Sequence, residues 1–245
     1  ARVSALRGHQ VTLWEKADRL GGNLIPAAVP DFKDDYKLLL NYQTTQIRKL
    51  HVNVEFGKEA TNEAIRRFSP DVLFLATGAV HVIPELEGMT EGLERGSVVT
   101  AVDLLMGRKE PGEGVLVMGA GLIGCEVALH LARRGREVTI AGGRRLAHDM
   151  VWGNALDLVK QLDDAGVRIL MNHRVVRITE AGAEAADLAF RADTIVLAVG
   201  MRPAQPLPME ELRKAVPEVY AIGDCVAPRH VLSAIWEGYR KARLV

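Results

Sequence analysis

A short apolar strand, a glycine-rich turn and an amphipathic helix follow one another near the middle of the chain. Residues 115–118 are apolar, and the glycines that directly follow them favour a buried strand over a segment of a core helix. The helix ends near Gly135, and a second apolar strand at 137–141 comes directly after it. The inner face of the helix is predicted to carry, at i/i+4 spacing, Ile123, Val127, Ala128, Leu131 and Ala132. The pattern therefore predicts a βαβ unit.

The turn of this unit has the spacing Gly-x-Gly-x-x-Gly and consists of Gly119, Ala120, Gly121, Leu122, Ile123 and Gly124. We expect its first glycine to allow a tight turn, the second to let the backbone approach a pyrophosphate, and the third to let the helix pack closely on the sheet. The free N–H groups and the positive dipole end of the helix would face the phosphates. A turn without a ligand is the alternative, but the flanking strands and helix favour a dinucleotide site.

The beginning of the chain repeats part of this pattern. Residues 1–13 align without a gap with residues 128–140, which superimposes two alanines, a glycine, a valine and a threonine. By that register, the first strand and the three glycines of a first unit would precede the chain. The alternative is a frayed terminal helix on a self-sufficient fold. Residues 193–200 likewise echo residues 71–78, so the second half is predicted to repeat the first.

These repeats predict an α/β protein with two Rossmann-like dinucleotide-binding domains, the second inserted in the first, and with the first strand and glycine loop of the first domain missing. The first domain is assigned residues 1–90 and 209–245, and the second is assigned residues 91–208. Residues 84–96 and 201–208 are rich in turn formers and are interpreted as linkers. Further predicted elements are helices at 36–50, 154–166 (with Asn154 as N-cap and Gly166 as C′) and 231–244, and strands at 52–56, 71–75, 168–171, 175–179 and 219–225.

The residues expected to bind the adenosine ribose lie at the end of the second strand of each unit. In the first unit Glu15, followed by Lys16, offers an acceptor for ribose hydroxyls. In the second unit Gly142 takes the matching position, with Arg144 and Arg145 just beyond it. A missing carboxylate beside arginines favours a 2′-phosphate, and therefore NADPH over NADH. The alternative is that both arginines cap a solvated turn.

The composition excludes several functional classes. Lys+Arg and Asp+Glu both number 31, so no net charge draws the chain to nucleic acid or to an anionic membrane, and no apolar run has transmembrane length. Cys125 and Cys225 are expected to be small core residues rather than nucleophiles, in a reducing, cytoplasmic setting. Since the seven histidines show no metal-ligand spacing, we expect no zinc or iron–sulfur site in this chain. Oligomer formation is left open.

Further motifs, in their order along the chain, resemble one family of flavoenzymes. They are Gly8-His-Gln-Val-Thr-Leu-Trp-Glu-Lys16, Leu20-Gly-Gly-Asn23, Pro30-Asp-Phe32, Ala76-Thr-Gly78, the three-glycine turn and Ala221-Ile-Gly-Asp-Cys225. Together they resemble the C-terminal nucleotide-binding half of the NADH:flavin oxidoreductases that are fused to an old yellow enzyme barrel. That family includes the 2-enoate and 2,4-dienoyl-CoA reductases and the trimethylamine and histamine dehydrogenases. The resemblance covers essentially the whole chain.

The resemblance implies contacts to FAD in the first domain. Glu15 corresponds to the ribose ligand of FAD, and Gly21 and Gly22 correspond to backbone contacts on its pyrophosphate side. Asp224 corresponds to the carboxylate that holds the ribityl chain, with a helix N-cap as the alternative. Ala76, Thr77 and Gly78 correspond to the turn that lines the flavin domain. The complete set of candidate cofactor-binding residues, with no catalytic residue or metal ligand among them, is Glu15, Lys16, Gly21, Gly22, Asn23, Ala76, Thr77, Gly78, Gly119, Ala120, Gly121, Leu122, Ile123, Gly124, Arg144, Arg145, Gly200, Gly223 and Asp224.

The resemblance also implies a reaction. NAD(P)H would reduce FAD, and electrons would pass through an iron–sulfur cluster to FMN in a barrel, where an activated C=C bond is reduced; the barrel, the FMN site and the cluster would belong to a missing N-terminal part. This chain would supply orientation and electrostatics only. A second hypothesis is a non-catalytic module that holds ADP, as the resemblance implies for the amine dehydrogenases. A disulfide reductase of the thioredoxin-reductase kind is disfavoured because the chain has no Cys-x-x-Cys.

Overall fold

A computed structural model describes residues 1–204 and 209–245 of the chain. Helices and strands alternate along most of it. The α-helices are α1 (Arg2–Leu6), α2 (Leu24–Ala27), α3 (Asp34–Lys49), α4 (Asn62–Phe68), α5 (Met89–Arg95), α6 (Ala101–Leu105), α7 (Leu122–Ala132), α8 (Trp152–Asp164), α9 (Met209–Ala215) and α10 (Val231–Ala242). The strands are β1 (Thr12–Glu15), β2 (Asn53–Phe56), β3 (Val72–Leu75), β4 (Ala79–His81), β5 (Val98–Thr100), β6 (Gly114–Met118), β7 (Glu137–Gly142), β8 (Arg168–Met171), β9 (Val175–Thr179), β10 (Gly182–Ala185), β11 (Ala189–Arg191), β12 (Thr194–Leu197), β13 (Met201–Pro203) and β14 (Glu218–Ala221). The predicted α/β class is confirmed.

The chain divides into two compact units. The first unit comprises Ala1–Ala28, Lys33–Val80 and Arg202–Val245, and the second comprises Val29–Phe32 and His81–Met201. The domain boundaries predicted from the sequence lie after residues 90 and 208. Residue 208 is outside the described residues, as is the end of the linker predicted at 201–208. Which nucleotide each unit binds stays a prediction.

The second unit is built on a five-stranded sheet in which every neighbouring pair is parallel. Its strand order is β5-β12-β6-β7-β8. Alternate residues of β6 point to opposite faces: Val117 packs against α7 and α8, whereas Leu116 packs against α5 and the antiparallel strands β9 to β11. Because both faces are covered, the central strands β6 and β12 are apolar at nearly every position and are buried along most of their length. The Rossmann-like parallel core predicted from the sequence is confirmed.

The first unit has a smaller core and two separate pairs of parallel strands. One pair joins β1 to β2, and the other joins β3 to β14. Its buried cluster is made by α4, α9 and the second pair, around Ile65, Leu75 and Leu212. The strands of the first pair carry no fully buried residue.

Three local predictions are wrong. Residues 201–203, at the start of the second predicted linker, form strand β13, which pairs with β4. Residues 84–96, interpreted as a linker, contain α5, a seven-residue helix that packs through Met89 and is bracketed by left-handed Gly88 and Gly96. The helix could not be recognised from the sequence, because seven residues are too few to show a helical period and the flanking residues are turn formers. Asn154 is not an N-cap: α8 begins at Trp152, Val151 takes the cap position, and no side chain caps the helix.

The antiparallel hairpin β10–β11 was not predicted from the sequence. Its residues are mostly alanine and charged residues, and its register is held by pairing with β9. Within residues 1–204 and 209–245, no helix is both long and apolar enough to cross a membrane.

Candidate functional site

The turn between β6 and α7 has a backbone that only glycine fits at its first position. Gly119 has φ 116°, and its N–H donates to the carbonyl oxygen of Ala141 at 2.9 Å. A Cβ on Gly119 would lie 2.2 Å from the carbonyl oxygen of Ala198, at the end of the neighbouring strand β12. Glycine is therefore required both by the left-handed conformation and by the close approach of a second strand.

Gly124 lies in the first turn of α7 and has a packing role. A Cβ there would lie 2.0 Å from the carbonyl oxygen of Gly119. The helix can therefore begin directly against the turn only because this position has no side chain. α7 continues for eleven residues and is buried on several sides, including Cys125 and Leu129 beyond the predicted inner face.

The second glycine of the turn faces a carboxylate that the sequence analysis did not single out. The N–H of Leu122, the first residue of α7, donates to Oδ1 of Asp149 at 2.8 Å. A Cβ on Gly121 would lie 3.2 Å from Oδ2 of the same aspartate. The first donor of the helix therefore already has an anionic partner from the segment between β7 and α8.

A cavity of about 350 Å³ lies beside the turn, lined by Ala120, Gly143, Arg144, Arg145 and His148. Both predicted arginines thus lie next to the glycine turn, and His148 adds an imidazole to the same lining. Two arginines beside a cavity of this size suit a phosphate-bearing ligand. His148 could not be predicted from the sequence, because a single histidine in a loop carries no motif.

The glycine at the end of β7 has a packing cause as well as the functional one inferred from the sequence. A Cβ on Gly142 would lie 2.4 Å from the Cβ of Ala120. Ala120 of the glycine turn therefore leaves no room for a side chain at position 142, a carboxylate included. The case for a 2′-phosphate consequently depends on the two arginines rather than on the missing acid.

In the first unit, two of the candidate residues near the end of β1 already have hydrogen-bond partners within the protein. Oε1 of Glu15, the last residue of β1, accepts a hydrogen bond from the N–H of Ala17 at 2.9 Å. Lys16 is exposed beside it. Gly21 and Gly22 have φ of 134° and 50° and precede α2, while the Asn23 side chain donates to the carbonyl oxygen of Ala79 at 2.9 Å. The Asn23 amide therefore has a structural partner, and its role as a cofactor contact stays a prediction.

The small-residue turns after the strands are open to approach. Ala76 and Thr77 are exposed, and a Cβ on Gly78 would meet nothing within 4 Å. Gly200, after β12, belongs to the second unit, and its carbonyl oxygen accepts a hydrogen bond from the N–H of Val82 at 3.0 Å. Contact of these residues with a flavin stays a prediction.

Asp224 lies in a short 3-10 helix, Gly223–Cys225, directly after β14. Its Oδ1 accepts a hydrogen bond from the N–H of Arg229 at 3.2 Å, and Oε2 of Glu237 accepts one from the N–H of Gly223 at 2.7 Å. That backbone hydrogen bond and the guanidinium of Arg229 lower the pKa of Glu237. Glu237 and Arg229, which were not predicted from the sequence, hold this turn in place.

The cysteines are confirmed as buried residues. Burial raises the pKa of Cys125 to about 12, so it carries no thiolate at neutral pH. The thiol of Cys225 donates to the carbonyl oxygens of Leu75 and Ile222, at 3.2 and 3.1 Å. Among the residues that the structure describes, no cluster of three or more His, Cys, Asp or Glu side chains could hold a metal ion.

The two units fit their expected nucleotides to different degrees. The second unit has the close-packed glycine turn, the buried parallel sheet and a basic cavity, which together fit a dinucleotide. The first unit presents carboxylates at strand ends, but within its described residues no three-glycine turn follows a strand. The fold and site therefore define a dinucleotide-binding α/β protein.

Comparison with known proteins identifies the family. Residues 2–238 match the pyridine nucleotide-disulphide oxidoreductase family model. The chain therefore belongs to the pyridine nucleotide-disulphide oxidoreductase family, and this membership indicates FAD and NAD(P)H as cofactors.

Individual relatives agree with the resemblance seen in the sequence. Cinnamate reductase of Clostridium sporogenes is 35% identical over 99% of this chain, and NADH oxidase of Thermoanaerobacter brockii is 32% identical over 99%. The chain spans 37% and 38% of the lengths of these relatives. A solved structure of a 2-naphthoyl-CoA reductase complex superimposes with a TM-score of 0.92 and 31% identity, over all of this chain and 37% of that one. The resemblance to the enoate reductase family is confirmed.

Histamine dehydrogenase from Rhizobium sp. 4-9 also superimposes, with a TM-score of 0.83 over 100% of this chain and 41% of that one. Its identity of 21% shows a shared fold only.

Proposed function

We propose that this chain is the electron-input module of a flavoenzyme, which takes hydride from NAD(P)H to FAD and feeds a reductase of activated C=C bonds of the 2-enoate or dienoyl-CoA type. The observation that carries the proposal is the turn between β6 and α7, where backbone N–H groups and a basic cavity converge. Relatives named as a cinnamate reductase and an NADH oxidase support the direction of electron flow.

The second unit would bind NAD(P)H. The N–H groups at the start of α7 and its dipole would hold the pyrophosphate, because these N–H groups have no partner within the helix. The Leu122 N–H would first have to leave Asp149. Arg144, Arg145 and His148 would contact a 2′-phosphate, so we propose NADPH as the preferred donor. When bound, the nicotinamide supplies a hydride, and the side chains named here bind and orient it without acting as acid or base.

The first unit would bind FAD. Glu15 would accept hydrogen bonds from the ribose hydroxyls and Asp224 from the ribityl chain, since each carboxylate stands at the carboxyl end of a parallel strand. Gly21 and Gly22 would approach the pyrophosphate side, and the turn at residues 76–78 would line the flavin. The pKa of Glu237 is already lowered, so it stays ionised and holds the turn that carries Asp224.

We further propose that a longer polypeptide completes the first unit and carries the reductase. Two observations support this: β1–β2 and β3–β14 are separate pairs, and the relatives are more than twice as long as the matched region. A strand inserted between the pairs would supply the missing glycine loop of the FAD domain. FMN and an iron–sulfur cluster would belong to the additional part, and a cytoplasmic location suits the two free, buried cysteines.

A second candidate function is a nucleotide-binding module without hydride chemistry, which would hold ADP. The missing acidic side chain at Gly142 keeps this candidate open. The contact of Asp149 with the Leu122 N–H does not separate the two functions, because ADP and a dinucleotide both carry a diphosphate. The intact three-glycine turn favours the redox module.

The absorbance spectrum of the full-length protein, before and after anaerobic addition of NADPH, distinguishes the two functions. Bleaching of the flavin bands on addition of NADPH is expected for the electron-input module. Tightly bound ADP in the purified protein with no bleaching would instead establish the binding module.

A further inference from the structure

The segment between β7 and α8 folds back over the glycine turn of the second unit. The N–H of Ala147 donates to the carbonyl oxygen of Ala120 at 2.7 Å, and Ala147 itself is buried with a left-handed φ of 49°. Two residues later, Oδ1 of Asp149 accepts the hydrogen bond from the N–H of Leu122. A contact between residues 27 positions apart therefore holds a carboxylate at the start of α7.

This carboxylate has the chemistry of the group that the turn is expected to bind. Carboxylate and phosphate oxygens are both anionic acceptors, and both form charge-assisted hydrogen bonds with backbone N–H groups at helix N-termini. One N–H group has a single hydrogen, so it cannot form a full hydrogen bond to the Asp149 carboxylate and to a phosphate at the same time. A second carboxylate oxygen also faces Gly121, the glycine whose missing side chain leaves room for a pyrophosphate.

The side chain is not an ordinary helix cap. The N-cap position of α7 is Gly121, whereas Asp149 comes from the next loop and is itself exposed. The same segment carries Arg144, Arg145 and His148, which line the adjacent cavity. One segment therefore brings both arginines to the cavity beside the turn and a carboxylate to the first N–H of α7.

We propose that Asp149 is an internal competitor for the pyrophosphate of NAD(P)H. Its carboxylate holds the Leu122 N–H in the nucleotide-free protein and gives up that donor when a dinucleotide binds. Asp149 therefore sets the affinity of the second unit for pyrophosphate-bearing ligands. This inference rests on the proposed function of the turn.

The test is calorimetric titration of the full-length protein with NADP⁺ and NAD⁺, for the parent and for Asp149→Asn. Asparagine keeps an acceptor for the Leu122 N–H and removes only the charge. We expect both dinucleotides to bind about fivefold more tightly to Asp149→Asn, the size of one exposed charge interaction. Adenosine 2′-monophosphate, which has no pyrophosphate, should bind both proteins equally.

The matched control is Asp163→Asn, which removes one negative charge from an exposed aspartate near the other end of α8. It should leave the affinity for NADP⁺ within a factor of about two, since exposed charges beyond a Debye length are screened. Asp149→Ser, which also retains an acceptor, replaces Asp149→Asn if the latter unfolds at a lower temperature than the parent.

Three results would overturn the inference. The first is an unchanged dissociation constant of both dinucleotides in Asp149→Asn. The second is an equal gain for adenosine 2′-monophosphate or for Asp163→Asn, which would mean a general electrostatic effect. The third, no binding of any dinucleotide by parent or variant, would remove the proposed function itself and is recognised by the absence of heat in the parent titration.

Discussion

The two units share one βαβ plan but differ in how their strands are paired. In the second unit, five parallel strands form one sheet whose central residues, such as Val117 and Val196, are fully buried. In the first unit, the parallel strands form two separate pairs, and β1 is only half-buried. In the complete sheet, strands on both sides constrain Gly119: its N–H donates to the Ala141 carbonyl oxygen, and the Ala198 carbonyl oxygen lies where a Cβ would be. The conformation of this turn therefore depends on the neighbouring strands as well as on its own glycines.

The largest effect is expected from a side chain at Gly119. Gly119→Ala combines a left-handed φ with a methyl group directed at the Ala198 carbonyl oxygen, so the free energy of unfolding of the second unit should fall by about 4 kcal/mol. Binding of NADPH should be lost with it. Urea denaturation, with hydrogen exchange followed in β6, measures the change.

Two matched glycines provide the controls for that substitution. Gly143→Ala adds a methyl group to open space in the same unit, and Gly22→Ala does so at a left-handed position of the first unit. We expect losses below about 0.5 kcal/mol for the former and of about 1 kcal/mol for the latter. Equal losses at Gly119 and Gly22 would mean that the contact with the Ala198 carbonyl oxygen adds nothing to the cost of the left-handed conformation.

The next effect compares the two cores. Leu116 and Leu75 are both buried. Leu116 lies on the central strand β6 of the five-stranded sheet and packs in a large cluster, whereas Leu75 packs in the smaller cluster of the first unit. Leu116→Ala should therefore lower the free energy of unfolding by about 4 kcal/mol and Leu75→Ala by about 2 kcal/mol. Denaturant midpoints with an unchanged slope give both values. A larger loss at Leu75 would show that the first core is the tighter one.

A smaller effect is expected on nucleotide choice. Arg144→Ala combined with Arg145→Ala removes both arginine side chains of the cavity, so kcat/KM for NADPH should fall about 30-fold while that for NADH changes less than about threefold. The FAD content should stay the same because the change is confined to the second unit. Arg191→Ala, on β11, is the control. An unchanged NADPH/NADH preference would leave the arginines as caps of a solvated turn.

The smallest effect concerns pH. Burial lowers the pKa of His81, and the nearby Asp103 partly opposes that effect. Burial and the charge of Arg134 lower the pKa of His130, and Asp31 partly opposes them. Both histidines are in the second unit. Because their folded pKa values lie below the unfolded value of about 6.5, the unfolded chain binds more protons in mild acid. Stability is therefore fully present above that pH and declines as the pH falls below it.

The measurement for this prediction is the urea midpoint at about pH 8 and about pH 5 for the parent and for His81→Gln. His81 Nε2 accepts a hydrogen bond from the N–H of Val102, and the glutamine carbonyl oxygen can replace that acceptor. We expect a weaker acid dependence in the variant. An identical pH dependence would mean that His81 remains neutral in both states or charged in both.

The parts of the fold that were predictable have local causes. The unit from β6 to β7 was found because apolar periodicity and three glycines lie within one continuous segment. Helix α3 and strand β8 were found in the same way. α5 and the β10–β11 hairpin were missed because packing against Ile178 and pairing with β9, rather than their own composition, hold them.

The candidate residues show the same division. Arg144 and Arg145 could be named from their distance in sequence to β7, and the structure places them on a cavity beside the glycine turn. The packing reason for glycine at position 142 could not be predicted, because it depends on the Cβ of Ala120, which is distant in sequence. Glu237 could not be predicted either, because it accepts its hydrogen bond from the N–H of Gly223, fourteen residues earlier in the chain.

The sequence by itself determined the α/β class, the glycine turn, the family and the residues from which nucleotide sites can be built, since each follows from periodicity or from a short motif. Only the tertiary structure decided that the second unit has one complete sheet, that the strands of the first form two pairs, and that Asp149 lies on the first donor of α7. The physical reason is range: turns and helix faces are set by neighbouring residues, whereas strand order and the partner of a helix terminus are set by packing between residues far apart in the chain.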